Sequence, residues 1–562
     1  MPPRYIHELL LASAEKYPYR PAFWLREGER FLSLNYRDLA ARVLDVAAGF
    51  QQLGLKAGDR AGIYAPNSPE WGIAYLAILA AGGVVVPLDV QLKLFELRSI
   101  IAKANLKFLF CAESSQPELA ELKALVAPHP EIISLEGNDY STLSLARLEK
   151  LGRQAEFEPA EVDPQKMAVL LFTSGTSGEA KGVMLSHVNI VADVEASARY
   201  LPLTSDDRAL SVLPLHHTFE ATAGFLYPLS VGASIGYASS LKSTQIAADI
   251  KTLGITIMCG VPLLYEKMYL RLKRALADAS RLKRVYVNLG LKVSALLRRL
   301  FRMSAGRAIF KPLRAKAGLA TIRMFVSGGA AMNPEISRFF CDLGIDLVQG
   351  YGLTETAPVL TVNTIRKNRY ASVGRPLPGV EVRIIDPDAG GIGEIAVKGD
   401  MVMIGYYENE AATAEVMQEG FFFTGDLGYL DDDGYLYITG RKKNVIISPA
   451  GKNIYPEEIE AALDNSPYIL ESAVLSRPRG SGEEPIAVVV PDYEIINAGD
   501  RHLTDNEIEK IVRSEVERIG KQMAEFKRIR DVVIYSGELP KTSTRKVKKY
   551  ILIDMLRKKG EL

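Results

Sequence analysis

Only three cysteines occur in the 562 residues, Cys111, Cys259 and Cys341. They are too scattered for a disulfide framework or a metal-binding spacing, so a reducing compartment is expected. A charge excess of one sign is lacking too. With 68 Lys and Arg against 67 Asp and Glu, the composition gives no global reason to expect nucleic acid as a partner. The N-terminus, MPPRYIHELLLASAEKYPYR, has a very short apolar stretch broken by Glu8 and no cleavage site. It reads as an amphipathic helix rather than a signal peptide, which makes a cytoplasmic location the expectation. Trp71 to Leu88 is uncharged for 18 residues and approaches membrane-spanning length. Gly82, Gly83 and Pro87 break it, however, and a buried helix (WGIAYLAILA), a glycine turn and a strand (VVVPLDV) account for it better. No internal repeat or low-complexity tract is found.

A chain this long with 48% apolar residues can bury a large core in more than one domain. Between Leu34 and Phe110 helical and strand patterns alternate, as in LAARVLDVAAGFQQLG followed by DRAGIYAP, which argues for a parallel α/β sheet. Ala112 to Pro164 is polar and weakly patterned, and suggests no chemistry.

The stretch MAVLLFTSGTSGEAKGVMLSHVN, residues 167–189, organises the rest. Met167 to Phe172 reads as a buried strand and Ser186 as the N-cap of a helix, with a Thr-, Ser- and Gly-rich loop between them. Gly175, Gly178 and Gly182 leave room for a ligand. Thr173, Ser174, Thr176 and Ser177 offer hydroxyl donors, and Lys181 a fixed cation, a combination suited to a polyphosphate. A Walker A loop is excluded because Ala180, not Gly, precedes Lys181. A flexible surface loop is the plain reading of this stretch alone.

Further motifs lie downstream. In Leu213-Pro-Leu-His-His-Thr-Phe-Glu220, His216 and His217 follow an apolar run at a candidate strand end, where α/β sites collect. Two short strands end in glycines: one leads into Gly328, Gly329 and Ala330, the other into Gly350, Tyr351 and Gly352. Tyr351 offers a flat face for a base, Thr354 a phosphate donor, and Glu355 a hard oxygen for Mg²⁺. The triple Asp at 431–433 invites a calcium reading, but EF-hand spacing would put Tyr429 at the first ligand position, so a hairpin turn fits better. Asp426 carries a carboxylate able to accept both hydroxyls of a ribose.

The set FTSGTSGEAKG, LPLHHTFE, QGYGLTET, FTGDLG, GRKKNVIISPAGKNIYPEEIE and LPKTSTRKVKKY, in this order, resembles the adenylate-forming (AMP-binding) enzymes over essentially the whole chain. The basic segment described below, together with LPLHHTFE and TSTRK, is most similar to the bacterial long-chain fatty acid–CoA ligases. The resemblance implies an α/β fold with a large N-terminal domain, residues 1–441, of parallel-sheet layers with a β subdomain. A small mobile α+β domain, residues 442–562, would rotate about a hinge at Lys443. ATP, Mg²⁺ and coenzyme A are the implied cofactors and co-substrates. The 173–182 loop would hold the β and γ phosphates, Tyr351 and the 328–330 turn the adenine, Thr354 the α phosphate, and Glu355 the magnesium. Asp426 and Arg441 would bind ribose, His217 would sit beside the acyl carboxylate with His216 as its neighbour, Lys546 would bridge carboxylate and α phosphate, and Gly451 would line the pantetheine channel. Ser177, Ala180 and Arg545 stand where the family usually has Thr, Pro and Gly, and Arg545 adds charge beside Lys546. The implied reaction is activation of a long-chain fatty acid to acyl-AMP and its transfer to coenzyme A. Transfer to a carrier protein, and a catalytically silent membrane-bound scaffold, are the alternatives.

Residues 269–316 read as an insertion with 14 Lys or Arg and one acidic residue, Asp278. Leu289, Val293, Leu296, Leu297 and Leu300 recur at helical spacing among the basic residues, as in helices that lie on anionic membrane. A helical cap whose apolar stripe packs on the body is the alternative. Sparse aromatics argue against nucleic acid here.

Overall fold

The computed structural model describes residues 3–27, 30–115, 129–137, 143–174, 180–449, 452–479, 482–497, 503–541 and 547–562. The chain packs as two compact units, residues 1–381 with 397–422, and residues 382–396 with 423–562.

The first unit is built on two large sheets. One has seven strands in the order Gly405–Tyr406, Ala180–Ser186, Met167–Ser174, Val84–Pro87, Arg60–Tyr64, Phe108–Cys111 and Glu131–Ser134. From Met167–Ser174 onward the pairing is parallel. The strands Val84–Pro87 and Phe108–Cys111 are buried at every position, as parallel strands covered on both faces must be. Before Val84–Pro87 runs the helix Pro69–Ala80. Ser68 starts it by accepting a hydrogen bond from the Trp71 N–H at 3.1 Å, and every residue from Trp71 to Ala80 is buried. The uncharged run is therefore a core helix, a turn at Gly82 (φ +83°) and a strand, as its breakers predict. Among the described residues no helix is long and apolar enough to cross a membrane.

The polar stretch 112–164 hides a helix, Leu145–Gly152, that crosses the helix Tyr36–Gln52 very closely. A Cβ on Gly152 would sit 1.6 Å from the Asp45 carbonyl oxygen, so the crossing admits only glycine there.

The other sheet has nine strands, ordered Arg375–Pro376, Val359–Val362, Asp346–Gly352, Met324–Ser327, Ile257–Gly260, Arg208–Ser211, Ser234–Tyr237, Pro21–Glu27 and Arg30–Asn35. Its middle is parallel and only its margins are antiparallel. The basic segment covers one side of it with the helices Pro262–Ala277, Arg281–Phe301, Gly306–Ile309 and Lys311–Lys316. Arg281–Phe301 turns Val287, Gly290 and Ser294 inward. The stripe of Leu289, Val293, Leu296 and Leu300 does not pack on the body, which removes the helical-cap reading; only Leu297 of that set is half-buried.

In the second unit, residues 426–430 of the strand Phe421–Leu430 form a pair with Leu436–Arg441. At its turn Asp431 accepts hydrogen bonds from the N–H groups of Asp433 (3.0 Å) and Tyr435 (2.9 Å), and Gly434 takes φ +76°, so the triple Asp is a hairpin turn as expected. A three-stranded sheet follows: Ile469–Arg479 and Gly482–Pro491 are antiparallel, and Asp531–Ile534 adds in parallel. Helices Pro456–Leu463, Asp505–Gly520 and Lys549–Lys559 accompany it. The expected capping box at Thr504 is present, with the Thr504 N–H donating to Glu507 at 2.9 Å.

Candidate active site

One correction concerns the phosphate-loop stretch: it does not run from strand through loop directly to helix. Ala180–Ser186 is itself a strand that pairs back on Met167–Ser174, placing Thr173 opposite Lys181 and Ser174 opposite Ala180. The cause is the alternation in KGVMLS, which buries Val183 and Leu185 completely. Ser186 caps the helix His187–Ala198 as expected, accepting from the Asn189 N–H at 3.1 Å. Gly175, Thr176, Ser177 and Gly178 lie outside the described residues.

Two segments of the first unit, residues 403–407 and the turn holding Glu355, converge beside this pair. The short strand Gly405–Tyr406 pairs with Met184 and Val183, and the Tyr407 N–H donates to the Gly182 carbonyl at 2.7 Å. The Met403 N–H donates to the Glu355 carbonyl at 2.8 Å. Lys181 Nζ consequently stands 4.8 Å from the centre of the Tyr406 ring, while the Tyr406 hydroxyl donates to Glu355 Oε1 at 2.9 Å. An ammonium, a phenol and a carboxylate thus stand in series. Lys181 is oriented by the ring face, and Glu355 keeps lone pairs for a hard cation such as Mg²⁺ beyond the bond it accepts. Tyr406 was not anticipated from sequence. Its only signal was GYY following an apolar run, which looks like ordinary strand.

Strands Met324–Ser327 and Asp346–Gly352 are parallel neighbours with Ser327 opposite Gln349. The Gly328-Gly329-Ala330 turn therefore leaves the sheet beside Gly350 and Tyr351, which remain paired with the strand Val359–Val362, at the C-terminal ends of the parallel strands where ligands of such sheets collect. Gly329 has φ +83° and a Cβ there would only touch Val261 at 3.8 Å, whereas Gly328 abuts the Phe219 ring, 3.0 Å from where a Cβ would be. Gly352 has a different cause from the ligand approach expected of it. Its Cβ would lie 1.7 Å from the Pro358 carbonyl, so the chain's own return demands glycine; Gly350 is less crowded, 3.1 Å from Thr361 O. Between Gly352 and Pro358 the turn Thr354–Thr356 is fixed by buried Thr356, which donates to the Pro358 carbonyl at 2.7 Å and accepts from the Leu353 N–H at 3.0 Å. This holds Thr354 and Glu355 half-buried at the end of the strand.

His216 and His217 sit just beyond the strand Arg208–Ser211, with ring centres 4.2 Å apart and planes at 50°. Buried His216 turns its Nε2 to Asp89, 3.5 Å from Oδ2, and His217 is half-buried. Asp89 is a second residue the sequence reading passed over, although it lies in VVVPLDV, two residues beyond the strand Val84–Pro87. Glu220, from the same motif, is wholly buried in the π-helical turn Glu220–Leu226. Burial raises its carboxyl to about 8, and neither carboxylate oxygen has a hydrogen-bond partner among the described residues.

In the second unit Asp426 and Arg441 are register partners on adjacent strands, with Arg441 Nε 2.5 Å from Asp426 Oδ1. Asp426 is buried and Arg441 largely exposed, so the pair presents a carboxylate held by a guanidinium. Lys443 is exposed in the turn Lys442–Asn444. Gly451, Arg545 and Lys546 lie outside the described residues. The chain flanking Lys546 is pinned by a bridge between Lys541 and Val547 and by the Lys548 N–H donating to the Pro540 carbonyl at 2.7 Å.

A strand pair carrying Lys181, a carboxylate in an ordered turn and glycine-edged parallel strands lie in the first unit. The AMP-binding enzyme family profile matches residues 10–407 and the AMP-binding enzyme C-terminal domain residues 458–546, so the chain belongs to this family and is a ligase of the acyl-activating kind. Among its relatives, the long-chain-fatty-acid–CoA ligase FadD15 of Mycobacterium bovis is 31% identical, over 78% of this chain and 74% of that protein. The chloroplastic long-chain-fatty-acid–[acyl-carrier-protein] ligase AEE15 of Arabidopsis thaliana is 27% identical, over 91% of this chain and 80% of that protein. The crystal structure of ATP-bound MatB from Rhodopseudomonas palustris superposes with a TM-score of 0.76 at 28% identity, covering 98% of this chain and 99% of that one.

Proposed function

We propose that the protein is a long-chain fatty acid–CoA ligase. A fatty carboxylate attacks the α phosphorus of ATP and pyrophosphate leaves; the thiol of coenzyme A then attacks the acyl carbon and AMP leaves. A carboxylate is a poor electrophile at neutral pH, and its adenylate is a mixed anhydride a thiol can open. The reaction needs neutralised phosphates, a held adenosine and exclusion of water. The observation that carries this reading is the Lys181–Tyr406–Glu355 series beside the loop strands, which places a cation and a hard oxygen donor together.

In this reading Lys181 with Thr173 and Ser174 binds the β and γ phosphates, and Thr354 contacts the α phosphate. Glu355 holds the magnesium, which when bound screens phosphate charge. Tyr351 and the 328–330 turn take the adenine, and the Asp426 carboxylate accepts the ribose hydroxyls. His217 faces the acyl carboxylate, with His216 as its neighbour. Lys546 bridges the reacting oxygens. The C-terminal domain then turns about Lys443 to bring Gly451 to the thiol. The fatty acid is drawn from a membrane surface on which residues 269–316 rest.

A carrier-protein thiol is the second reading, favoured by the likeness to the acyl-carrier-protein ligase. The complete set of polar groups argues against an inactive scaffold. Pyrophosphate exchange into ATP, measured with acids from acetate to palmitate, tests the substrate class. A preference for acetate or an aromatic acid rejects it, and product analysis with coenzyme A and with a holo carrier separates the acceptors.

A further inference from the structure

We propose that Asp89, His216 and His217 form a binding site for a divalent cation of the zinc class, and that an ion bound there inhibits adenylation. The inhibition rests on the ligase reading given above; the site itself does not. The two histidines follow the strand Arg208–Ser211 of the nine-stranded sheet, and Asp89 follows Val84–Pro87 of the seven-stranded one. The ends of two sheets thus deliver two imidazoles and a carboxylate to one place, where one ligand atom from each lies within 4.8 Å of the others.

Hydrogen bonds fix this arrangement from behind. Asn67, just past the strand Arg60–Tyr64, ties the two ends together: its Nδ2 donates to Ser211 Oγ at 2.9 Å and to the Leu213 carbonyl at 2.6 Å, and its Oδ1 accepts from the Leu215 N–H at 2.8 Å. Asp89 Oδ1 accepts from the Gln91 N–H at 2.8 Å, which turns Oδ2 toward His216 Nε2, 3.5 Å away. That separation is too long for a good hydrogen bond. His216 Nε2 is buried, on a side chain only 8% exposed, and has no hydrogen-bond partner among the described residues. A ring nitrogen sealed from water in this way is costly unless something binds it.

The donor set selects the ion. Mg²⁺ and Ca²⁺ take oxygen ligands, whereas two imidazole nitrogens and a carboxylate suit Zn²⁺ and its first-row neighbours. Zinc bonds of about 2.0–2.2 Å to nitrogen and oxygen set the edges of its tetrahedron at about 3.3–3.6 Å. The spacing of His216 Nε2 and Asp89 Oδ2 already equals such an edge. Half-buried His217 needs to close by at most about 1.5 Å to complete the face. Three protein ligands leave the fourth position of the ion open to another molecule. A fatty carboxylate held there has its attacking oxygen on the metal, and His217 has given up its lone pair, so adenylation stops.

The test uses the full-length protein stripped by chelator, with free Zn²⁺ set by a metal buffer. Equilibrium dialysis reads uptake, the visible spectrum of Co²⁺ reads ligand geometry, and pyrophosphate exchange with palmitate and Mg²⁺ reads inhibition. Wild type is expected to bind Zn²⁺, to give the intense Co²⁺ bands of a four-coordinate site, and to lose exchange at least about tenfold until chelator restores it. Asp89→Asn and His216→Ala should each bind Zn²⁺ at least about tenfold more weakly, and need correspondingly more of it to lose the same fraction of their own zinc-free rate. Asp89→Asn keeps an oxygen for the Gln91 N–H, so its metal-free melting temperature should match wild type and vouch for the fold. Zinc uptake unchanged in the variants overturns the inference, as does a pale six-coordinate Co²⁺ spectrum, or bound Zn²⁺ that leaves wild-type exchange unaltered. Zinc binding that the variants weaken, without any exchange, would overturn the ligase reading and leave the site standing; exchange with zinc uptake that they do not weaken would do the reverse.

Discussion

Replacing Tyr406 by Phe separates two jobs that one side chain performs. The ring beneath Lys181 Nζ, 4.8 Å away, is kept, whereas the hydroxyl that donates to Glu355 Oε1 at 2.9 Å is removed. A hydrogen bond to a charged group contributes about 1.5–3 kcal/mol, so if it is needed to aim Glu355 in the transition state, kcat/KM for adenylation should fall roughly 10- to 150-fold. Tyr406→Leu also removes the ring face under Lys181. A cation–π contact contributes about 0.5–2 kcal/mol, which adds a further loss of about 2- to 30-fold. Initial rates of pyrophosphate exchange at varied ATP, with the melting temperature as a control for folding, measure both steps. A Phe variant within twofold of wild type would refute the positioning role, and a Leu variant equal to the Phe variant would refute the seating of Lys181.

Three other outcomes follow from the same structure. Glu220 has its carboxyl raised to about 8 by burial, from an ordinary 4.5, so its contribution to stability is complete below pH 4.5 and is lost as pH rises toward 8. Between pH 6.5 and 8 this loss is about 2 kcal/mol at ~1.4 kcal/mol per pH unit. Glu220→Gln should flatten that decline in denaturant titrations, and an unchanged slope would contradict it. The window avoids His7 and His187, which burial lowers to about 4 and about 3 and which therefore cost stability only as pH falls below 6.5. Gly152→Ala, whose Cβ would fall 1.6 Å from the Asp45 carbonyl, should destabilise the first unit by about 2–4 kcal/mol, read as a lowered melting temperature. Lys546→Ala should cost adenylation about a hundredfold to a thousandfold while thioester formation from supplied acyl-AMP survives; equal loss of both half-reactions would count against a lysine confined to the first.

What the sequence disclosed follows a physical divide. Period and breakers foretold the buried helix Pro69–Ala80, its strand, the Asp431 hairpin and the Thr504 cap, because each is set by residues near in the chain. The second strand at Ala180–Ser186 escaped because its partner gave it its conformation: a hairpin is decided by cross-strand burial of Val183 and Leu185, not by local propensity. Tyr406 and Asp89 escaped for a related reason. They reach Glu355 and His216 across 51 and 127 residues, and neither type of residue is distinctive at a strand end. The glycine of Gly352 was visible but its cause was not, since a carbonyl six residues later makes the demand. The periodicity of the basic helix told its amphipathic character; only the exposure of Leu289 and Leu296 told which way it faces.

The central claim is that a carboxylate oxygen of the substrate becomes bonded to the α phosphorus before the thiol arrives. Palmitate labelled with oxygen-18 in its carboxyl group, turned over with ATP, Mg²⁺ and coenzyme A, tests this directly. The account predicts AMP carrying one labelled oxygen per molecule, because the acyl–oxygen bond is the one the thiol breaks. AMP free of label, or ADP in its place, would contradict it.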